Sequence, residues 1–581
     1  MNKRSDNTEK EHSAYPFAIR FFTEMKALGV KEVAVSPGSR NTPLVLAADV
    51  SGLSVRVFID ERVAGFYALG SAKVTGAPVI LICTCGTAFA NYLPSVVEAN
   101  HSGTPIVICS ADRPPELRQW GAGQTIDQVR LYGTNARWFY DLPVPSEVDA
   151  ALAQSIAIRA WDRSVVGKGP VHLNWPLREP LLPQGDLVPQ DPQLEAFPSS
   201  NLCEAGNLRI IELGETYERG LISLGPNDFD EESLHQILWF SEKVGWPILA
   251  DPASQLRGME SSGNTMITTG EVLCGSDQFV SSLDDVEVVI QVGLAPTSKA
   301  YRKWLQKNPP KKYVLVAPAI DWVDPSNTIT ETYQGDCFYD FEKDEECFRS
   351  SSPWLETWID ANNIAVSIIK EHLKDDGNEL SAVAAVMEAV NDDSRIMLSN
   401  SMIIRDAELA FHNDGTIFRT LSNRGANGID GIISTSLGAS NASDGKVVCL
   451  IGDVAAAHDF GAVLAASRMK SDMTIVLLDN KGGGIFSFLP IRDELDRKQF
   501  EKYFLTSPMV PFADVFGSLG LEVSIPQTRD DLRLEVSKTM GRPGLSIVYY
   551  ESDAEATVET FRLIREQFNQ EITEEGWERY G

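Results

Sequence analysis

Long apolar runs, cysteine clusters and basic stretches are scarce in this chain, and each scarcity removes a class of answer. No apolar run reaches membrane-spanning length; stretches such as APVILIC (77–83) are strand-sized. The N-terminus MNKRSDNTEKEHSAY is polar and lacks an apolar core, so it reads as a loose leader and not as a secretory signal. Eight cysteines in 581 residues make no disulfide framework. Cys83 and Cys85 form a C-x-C, but no second cluster with ligand spacing accompanies them, so they read as buried strand thiols and not as a zinc site. A reducing, cytoplasmic setting follows as the default. Lysine and arginine number 51 against 81 acids, a net charge of −30 that disfavours nucleic acid and anionic membranes as partners. An anionic substrate would therefore need a local group of cations to reverse the global field.

What is present is a pattern of buried strands. Hydrophobic residues make up 43% of the chain, enough for several cores; at about 150 residues per domain the length suggests roughly three or four domains. Residues 77–116 and 445–484 share a layout of strand, glycine turn, helix, strand and polar loop. Their unbroken β-branched runs indicate buried parallel strands in right-handed βαβ units. VKEVAVSPGSRNTPLVLAA extends the first of these domains, which ends near GPVHLNWPLREPLLP. A Pro-rich polar segment, 184–201, reads as a linker. A middle unit alternates strands and helices around GLISLGPND, GWPILADPASQLRG, VEVVIQVGLAPTSKAYRKWL and KKYVLVAP. The acidic, irregular 341–354 marks a second boundary, and the tail ITEEGWERYG reads as exposed. The expectation is an α/β protein of three domains with parallel sheets, at 1–188, 189–365 and 366–581, the first and last similar.

In IGDVAAAHDF a buried strand ends at Ile451, Gly452 and Asp453 form the turn, and a helix starts. The next strand, MTIVLLDN, ends at Asp479 and Asn480, before KGGGIF. Ligands of open α/β sheets bind at such strand ends, and helix starts there favour phosphate. Asp453, the Asn480 amide oxygen and a loop carbonyl such as Gly482 suit the hard-oxygen demand of Mg²⁺. A capping aspartate and an ordinary turn asparagine are the alternative for each taken alone. No GxGxxG follows a strand, so a dinucleotide site is not supported. A third segment, FIDERVAGFYALGSAK, delivers Asp60 and Glu61 at a strand end; alone, such an acid reads as a solvated surface group.

GDVAAAHDF…LLDNKGGGIF resembles the metal-binding motif of the thiamine-diphosphate enzymes. The resemblance implies an N-terminal domain that binds the aminopyrimidine and a C-terminal domain that binds the diphosphate. Mg²⁺ or Mn²⁺ would sit on Asp453, Asn480 and Gly482, with Val454, Ile485 and Phe486 beside the cofactor and Ile429 supporting its bent form. DERVAGFYALG is similar to the family segment whose glutamate meets the cofactor across a subunit interface. This implies Glu61 as the catalytic acid against pyrimidine N1′, favouring the imino tautomer that takes the thiazolium C2 proton. It also implies a homo-oligomer, a dimer or a pair of dimers, with shared sites.

SPGSRNTPL, ADRPPELRQWGAGQTIDQ, SNSMIIRD and NRGANGIDGIIST together resemble one branch, the 2-succinyl-5-enolpyruvyl-6-hydroxy-3-cyclohexene-1-carboxylate synthase family of menaquinone biosynthesis. The match is strong over 15–185 and 395–550 and weaker between. The implied reaction decarboxylates 2-oxoglutarate and adds the succinyl-semialdehyde carbanion to isochorismate. Both substrates are dicarboxylates, and arginine forks bind carboxylates bidentately. By resemblance, Ser39, Arg40, Arg113, Gln124, Ser401, Arg405 and Arg424 contact substrate or intermediate, with Lys299 in APTSKAYRKW a further carboxylate partner. These cations would supply the local reversal of charge. Phe486 and Leu489 line the diphosphate side on this reading; core packing is their alternative. Departures from the family pattern are Lys481 within DNKGG, which reads as solvated, Gly123 before Gln124, and Ala300 after Lys299, with Arg302 the candidate substitute cation. There is no His-His pair, and His101 and His458 read as structural residues on helices. The rivals are a carboligase of acetolactate-synthase type, which needs fewer carboxylate-directed arginines, and a catalytically silent binding subunit.

Overall fold

The computed structural model describes residues 14–148, 151–193, 203–259, 264–283, 285–317, 327–339, 352–392, 394–412 and 417–574. Outside them lie most of the expected leader (1–13), part of the linker (194–201), most of the acidic boundary (341–351) and the end of the tail (575–581). The chain forms two compact units, Met1–Ser199 and Ser200–Gly581. No helix among the described residues is long and apolar enough to cross a membrane.

The first unit holds one sheet of β1 (Glu32–Val35), β2 (Ser54–Val57), β3 (Val79–Cys83), β4 (Ile106–Asp112), β5 (Trp138–Asp141) and β6 (Pro170–Pro176). Its order is β2-β1-β3-β4-β6-β5, and every pairing is parallel. β3, β4 and β6 are buried along their whole length, as sequences such as VILIC and IVICSAD require of strands covered on both faces. The helix Tyr15–Ala27 supplies Phe17, Phe21 and Phe22, which surround the fully buried Trp175. Tyr15, the last residue of the expected leader, is thus the start of a core helix. Residues 190–193 run back along that helix: the Gln193 amide donates to buried Glu24, and Arg20 donates to the Asp191 carbonyl.

The second unit holds two sheets. One contains β7 (Gly220–Leu224), β8 (Ile248–Ala250), β9 (Met266–Ile267), β10 (Val288–Val292), β11 (Lys312–Ala317) and β12 (Glu331–Gln334), in the order β12-β11-β10-β7-β8-β9. That doubly wound order leaves a crevice between the ends of β7 and β10. Here the backbone closes it: a side chain on Gly225 would meet the Leu294 carbonyl oxygen at 1.7 Å. The other sheet contains β13 (Ser394–Leu398), β14 (Phe418–Ser422), β15 (Val447–Gly452), β16 (Met473–Asp479), β17 (Val523–Ser524) and β18 (Ser546–Glu551), in the order β14-β13-β15-β16-β18-β17. Both sheets are wholly parallel. One apolar core runs from Leu221 and Val289 through Trp358 to Leu450 and Phe568. Ile572, expected on an exposed tail, belongs to it, because the C-terminal helix Ala554–Glu574 continues that far. The α/β class and the three parallel sheets expected from the sequence are what the chain adopts.

Candidate active site

The C-terminal ends of β13, β14, β15 and β16 converge on a cavity of about 290 Å³ in the second unit. After β15, Asp453 opens a short helix; its Oδ1 accepts the Val454 amide at 2.8 Å, while the buried Oδ2 has no hydrogen-bond partner. After β16, Asn480 donates from Nδ2 to Glu379 Oε2 at 2.8 Å, and its buried Oδ1 also has none. Gly482 follows at φ +141°, where a side chain would collide with the Leu505 carbonyl at 2.3 Å. Its own carbonyl accepts the Gly484 amide at 2.9 Å, which leaves one lone pair. Burial, then the neighbouring Asp479 carboxylate, push Asp453 up to about 7. Burial also raises Asp479, but hydrogen bonds from Tyr549 and Lys481 more than offset it and hold that carboxyl below its usual range. An unsatisfied carboxylate oxygen beside a second carboxylate, an unsatisfied amide oxygen and a loop carbonyl form a donor set that fits a hard divalent cation. Among the described residues no three His, Cys, Asp or Glu side chains form a metal group, so the set depends on the amide and the carbonyl.

Ser401, Arg405, Arg424, Ile429, Val454, Gly482, Ile485 and Phe486, all singled out from the sequence, line the same cavity. Ser401 sits at φ +68°, and Arg405 Nη1 bonds its carbonyl. Arg424 Nη1 donates to Asn400 Oδ1 at 2.9 Å. Lys299 and Leu489 lie elsewhere, in a second cavity of about 460 Å³ that shares Met402, Arg405 and Ile485 with the first. Leu489 is therefore not a wall of the Asp453 cavity. Arg302 donates to the Ser298 carbonyl and lines neither cavity; Lys303, one turn beyond Lys299, lines the second. Lys481 is not simply solvated: Nζ reaches Asp479 Oδ2 at 2.9 Å, Tyr549 Oη at 3.1 Å and Glu551 Oε1 at 2.9 Å.

The first unit gathers its candidates at the corresponding edge of its own sheet. Asp60 caps the helix Glu61–Thr75 by accepting the Arg62 amide at 2.9 Å, which places Glu61 at the first helical position after β2. Glu61 is half-buried, and its carboxylate is close enough to add to the burial that pushes the Cys83 thiol and the Tyr92 hydroxyl well up. Ser39 is exposed in the turn after β1. Arg40 is 7% exposed and committed, with Nη1 on the Leu177 carbonyl at 3.0 Å and Nη2 on Glu179 at 3.2 Å. Arg113, after β4, donates to Cys85 Sγ at 3.2 Å and to the Gly123 carbonyl at 3.0 Å. Gln124, at φ +61°, donates to the Cys85 carbonyl at 3.1 Å. Cys85 is thus the hub of this corner and lies beyond the strand; of the C-x-C pair Cys83 alone is a strand thiol. His101 and His458 end helices and are exposed.

Sequence reasoning passed over Asn400 and Glu379. Asn400 ties the turn after β13 to the loop after β14, accepting from Arg424 and donating to the carbonyls of Asn423 at 2.8 Å and Gly428 at 2.7 Å. It lay within a quoted motif, so its signal was available. Glu379 starts the helix Glu379–Ala389 and reads locally as a first-turn acid; nothing near it in sequence points to Asn480.

Three family models match the chain in order: the thiamine pyrophosphate enzyme N-terminal TPP binding domain over residues 18–131, the middle domain of thiamine pyrophosphate enzymes over 215–398, and the C-terminal TPP binding domain over 416–549. A 2-succinyl-5-enolpyruvyl-6-hydroxy-3-cyclohexene-1-carboxylate synthase of Geobacillus thermodenitrificans is 35% identical, covering 97% of this chain and 99% of the relative. Synthases of the same name from Listeria monocytogenes and Chloroflexus aurantiacus are 34% and 37% identical, covering 93% and 84% of this chain and 95% and 85% of the relatives. The chain belongs to the 2-succinyl-5-enolpyruvyl-6-hydroxy-3-cyclohexene-1-carboxylate synthase family of thiamine-diphosphate enzymes.

Proposed function

We propose that this chain decarboxylates 2-oxoglutarate and joins the remaining four-carbon unit to the isochorismate ring by conjugate addition, releasing CO₂ and 2-succinyl-5-enolpyruvyl-6-hydroxy-3-cyclohexene-1-carboxylate. The carrying observation is the cavity at the ends of β13–β16, where the unpartnered Asp453 Oδ2 and Asn480 Oδ1 share one lining with Arg405 and Arg424. Bound thiamine diphosphate supplies the carbon nucleophile and the electron sink. Asp453, Asn480 and the Gly482 carbonyl hold Mg²⁺ or Mn²⁺ against the diphosphate. Ile429, Val454, Ile485 and Phe486 wall the cofactor and exclude water.

Arg405 and Arg424 clamp substrate carboxylates, with Ser401 beside them and Lys299 reaching from the adjoining cavity. A second copy of the chain brings Glu61 to hold the proton at pyrimidine N1′, and its Ser39, Arg113 and Gln124 add polar contacts. Arg40 reaches a carboxylate only by exchanging its Glu179 partner. The catalyst is therefore a homo-oligomer with shared sites. The free cysteines among the described residues support a reducing, cytoplasmic setting.

Mass detection of the adduct from 2-oxoglutarate and isochorismate, with thiamine diphosphate and Mg²⁺, tests the reading. The expected result is adduct only when both substrates are present. Pyruvate as the preferred donor would move the chain to a carboligase of acetolactate-synthase type, and failure to bind the cofactor would make it a silent subunit.

A further inference from the structure

We propose that Glu379 is a positioning residue that fixes the Asn480 amide with Oδ1 turned into the cavity as a cation ligand. The inference rests on the metal reading above. A terminal amide can present oxygen or nitrogen to a site, and its neighbours decide which. Here Nδ2 donates to Glu379 Oε2 at 2.8 Å, and Oδ1 is the buried atom left without a partner. The accepting Glu379 oxygen draws the NH₂ and so sends the amide oxygen the other way. Gly484 leaves room for the amide in that orientation: a side chain there would stand 2.7 Å from Nδ2.

Glu379 is itself well fixed. Its backbone N–H donates to Thr557 Oγ1 at 2.9 Å, and Asn378 caps its helix by accepting the Ser381 amide at 2.8 Å. A first-turn acid that only served the helix dipole would face solvent; Glu379 is 2% exposed and lines the Asp453 cavity. Groups that orient metal ligands from behind typically govern affinity by about 10–100-fold when removed.

The test is Mn²⁺ binding, followed by electron paramagnetic resonance, to full-length protein supplemented with thiamine diphosphate. Glu379→Ala should weaken Mn²⁺ binding about 10–100-fold. Glu379→Gln, which keeps an acceptor oxygen, should stay within about threefold of the parent. Should the alanine variant not fold, a swap decides. Asn480→Asp alone sets carboxylate against carboxylate and should bind Mn²⁺ poorly. Glu379→Gln with Asn480→Asp restores a donor–acceptor pair and should regain about tenfold, a rescue that a merely structural residue would not produce. Parent-like Mn²⁺ binding by Glu379→Ala, or no rescue in the double variant, overturns the proposal while Asp453→Ala still binds weakly. Parent-like binding by Asp453→Ala would overturn the metal reading itself.

Discussion

β1–β6 and β13–β18 repeat one strand order, yet equivalent strand ends carry different chemistry. Both turns after the second strand in that order are serine-rich, SPGSR after β1 and SNS after β13. After β3 comes Cys85, a soft group hydrogen-bonded by Arg113, whereas after β15 comes Asp453 with an unsatisfied oxygen. After β4 comes a cation, Arg113, whereas after β16 comes an amide, Asn480, and a glycine loop. At the edge, β2 leads to the acid Glu61 and β14 to the cation Arg424. The lesson is that one frame offers the same four positions twice, and a few residues at strand ends decide whether a sheet presents a half-buried acid or a set of unsatisfied oxygens that fits a cation. The middle sheet has another order, and its crevice is closed by the Gly225–Leu294 approach.

The comparison breaks first at its acids. Glu61→Gln should lower turnover by on the order of 10²–10⁴-fold while cofactor affinity and fold are kept. Steady-state rates and calorimetry check this, and near-normal turnover would remove Glu61 from the chemistry. Asp453→Ala should do the converse, weakening cofactor and metal binding together by on the order of 10²-fold, at least as much as losing an outer-shell partner. Arg424→Lys keeps the charge but loses the fork and should raise KM for a dicarboxylate by about tenfold with the fold intact.

A smaller effect reads both units at once through pH. His172 in the first unit and His412 in the second are buried, and burial pulls each imidazole down to about 3. The unfolded chain protonates these groups near 6.5, so between about 6.5 and 3 the unfolded state binds the extra protons and stability falls as pH drops. At pH 5 each histidine should cost about 2 kcal/mol relative to pH 8. Denaturant unfolding of His172→Gln should show a flatter acid limb than the parent; an unchanged limb would mean another group governs it. Lys481→Met should be the mildest change, lowering stability by about 1 kcal/mol, because its ion pairs are half in water.

Much of this frame was legible in the sequence. Unbroken apolar runs identified β3, β4, β15 and β16, and strand-end turns located Asp453, Asn480 and Glu61. What local pattern does not carry is adjacency between distant segments. Lys481 looked solvated because its partners Tyr549 and Glu551 stand on β18, which pairs with β16 only in the folded sheet. Glu379 was passed over because Asn480 comes to it from a strand end far along the chain. The partners of Arg40 were not legible either, because the Leu177 carbonyl and Glu179 follow β6, far along the chain.

The central claim is that Glu61 and the Asp453–Asn480 cradle act together across two copies of the chain. Differently tagged Glu61→Gln and Asp453→Ala chains, each inactive alone, should be co-expressed and their mixed dimer isolated through both tags. One of its two sites then has both residues intact, and the account predicts about half the parent's turnover per dimer. A mixed dimer as inactive as either variant alone would contradict it.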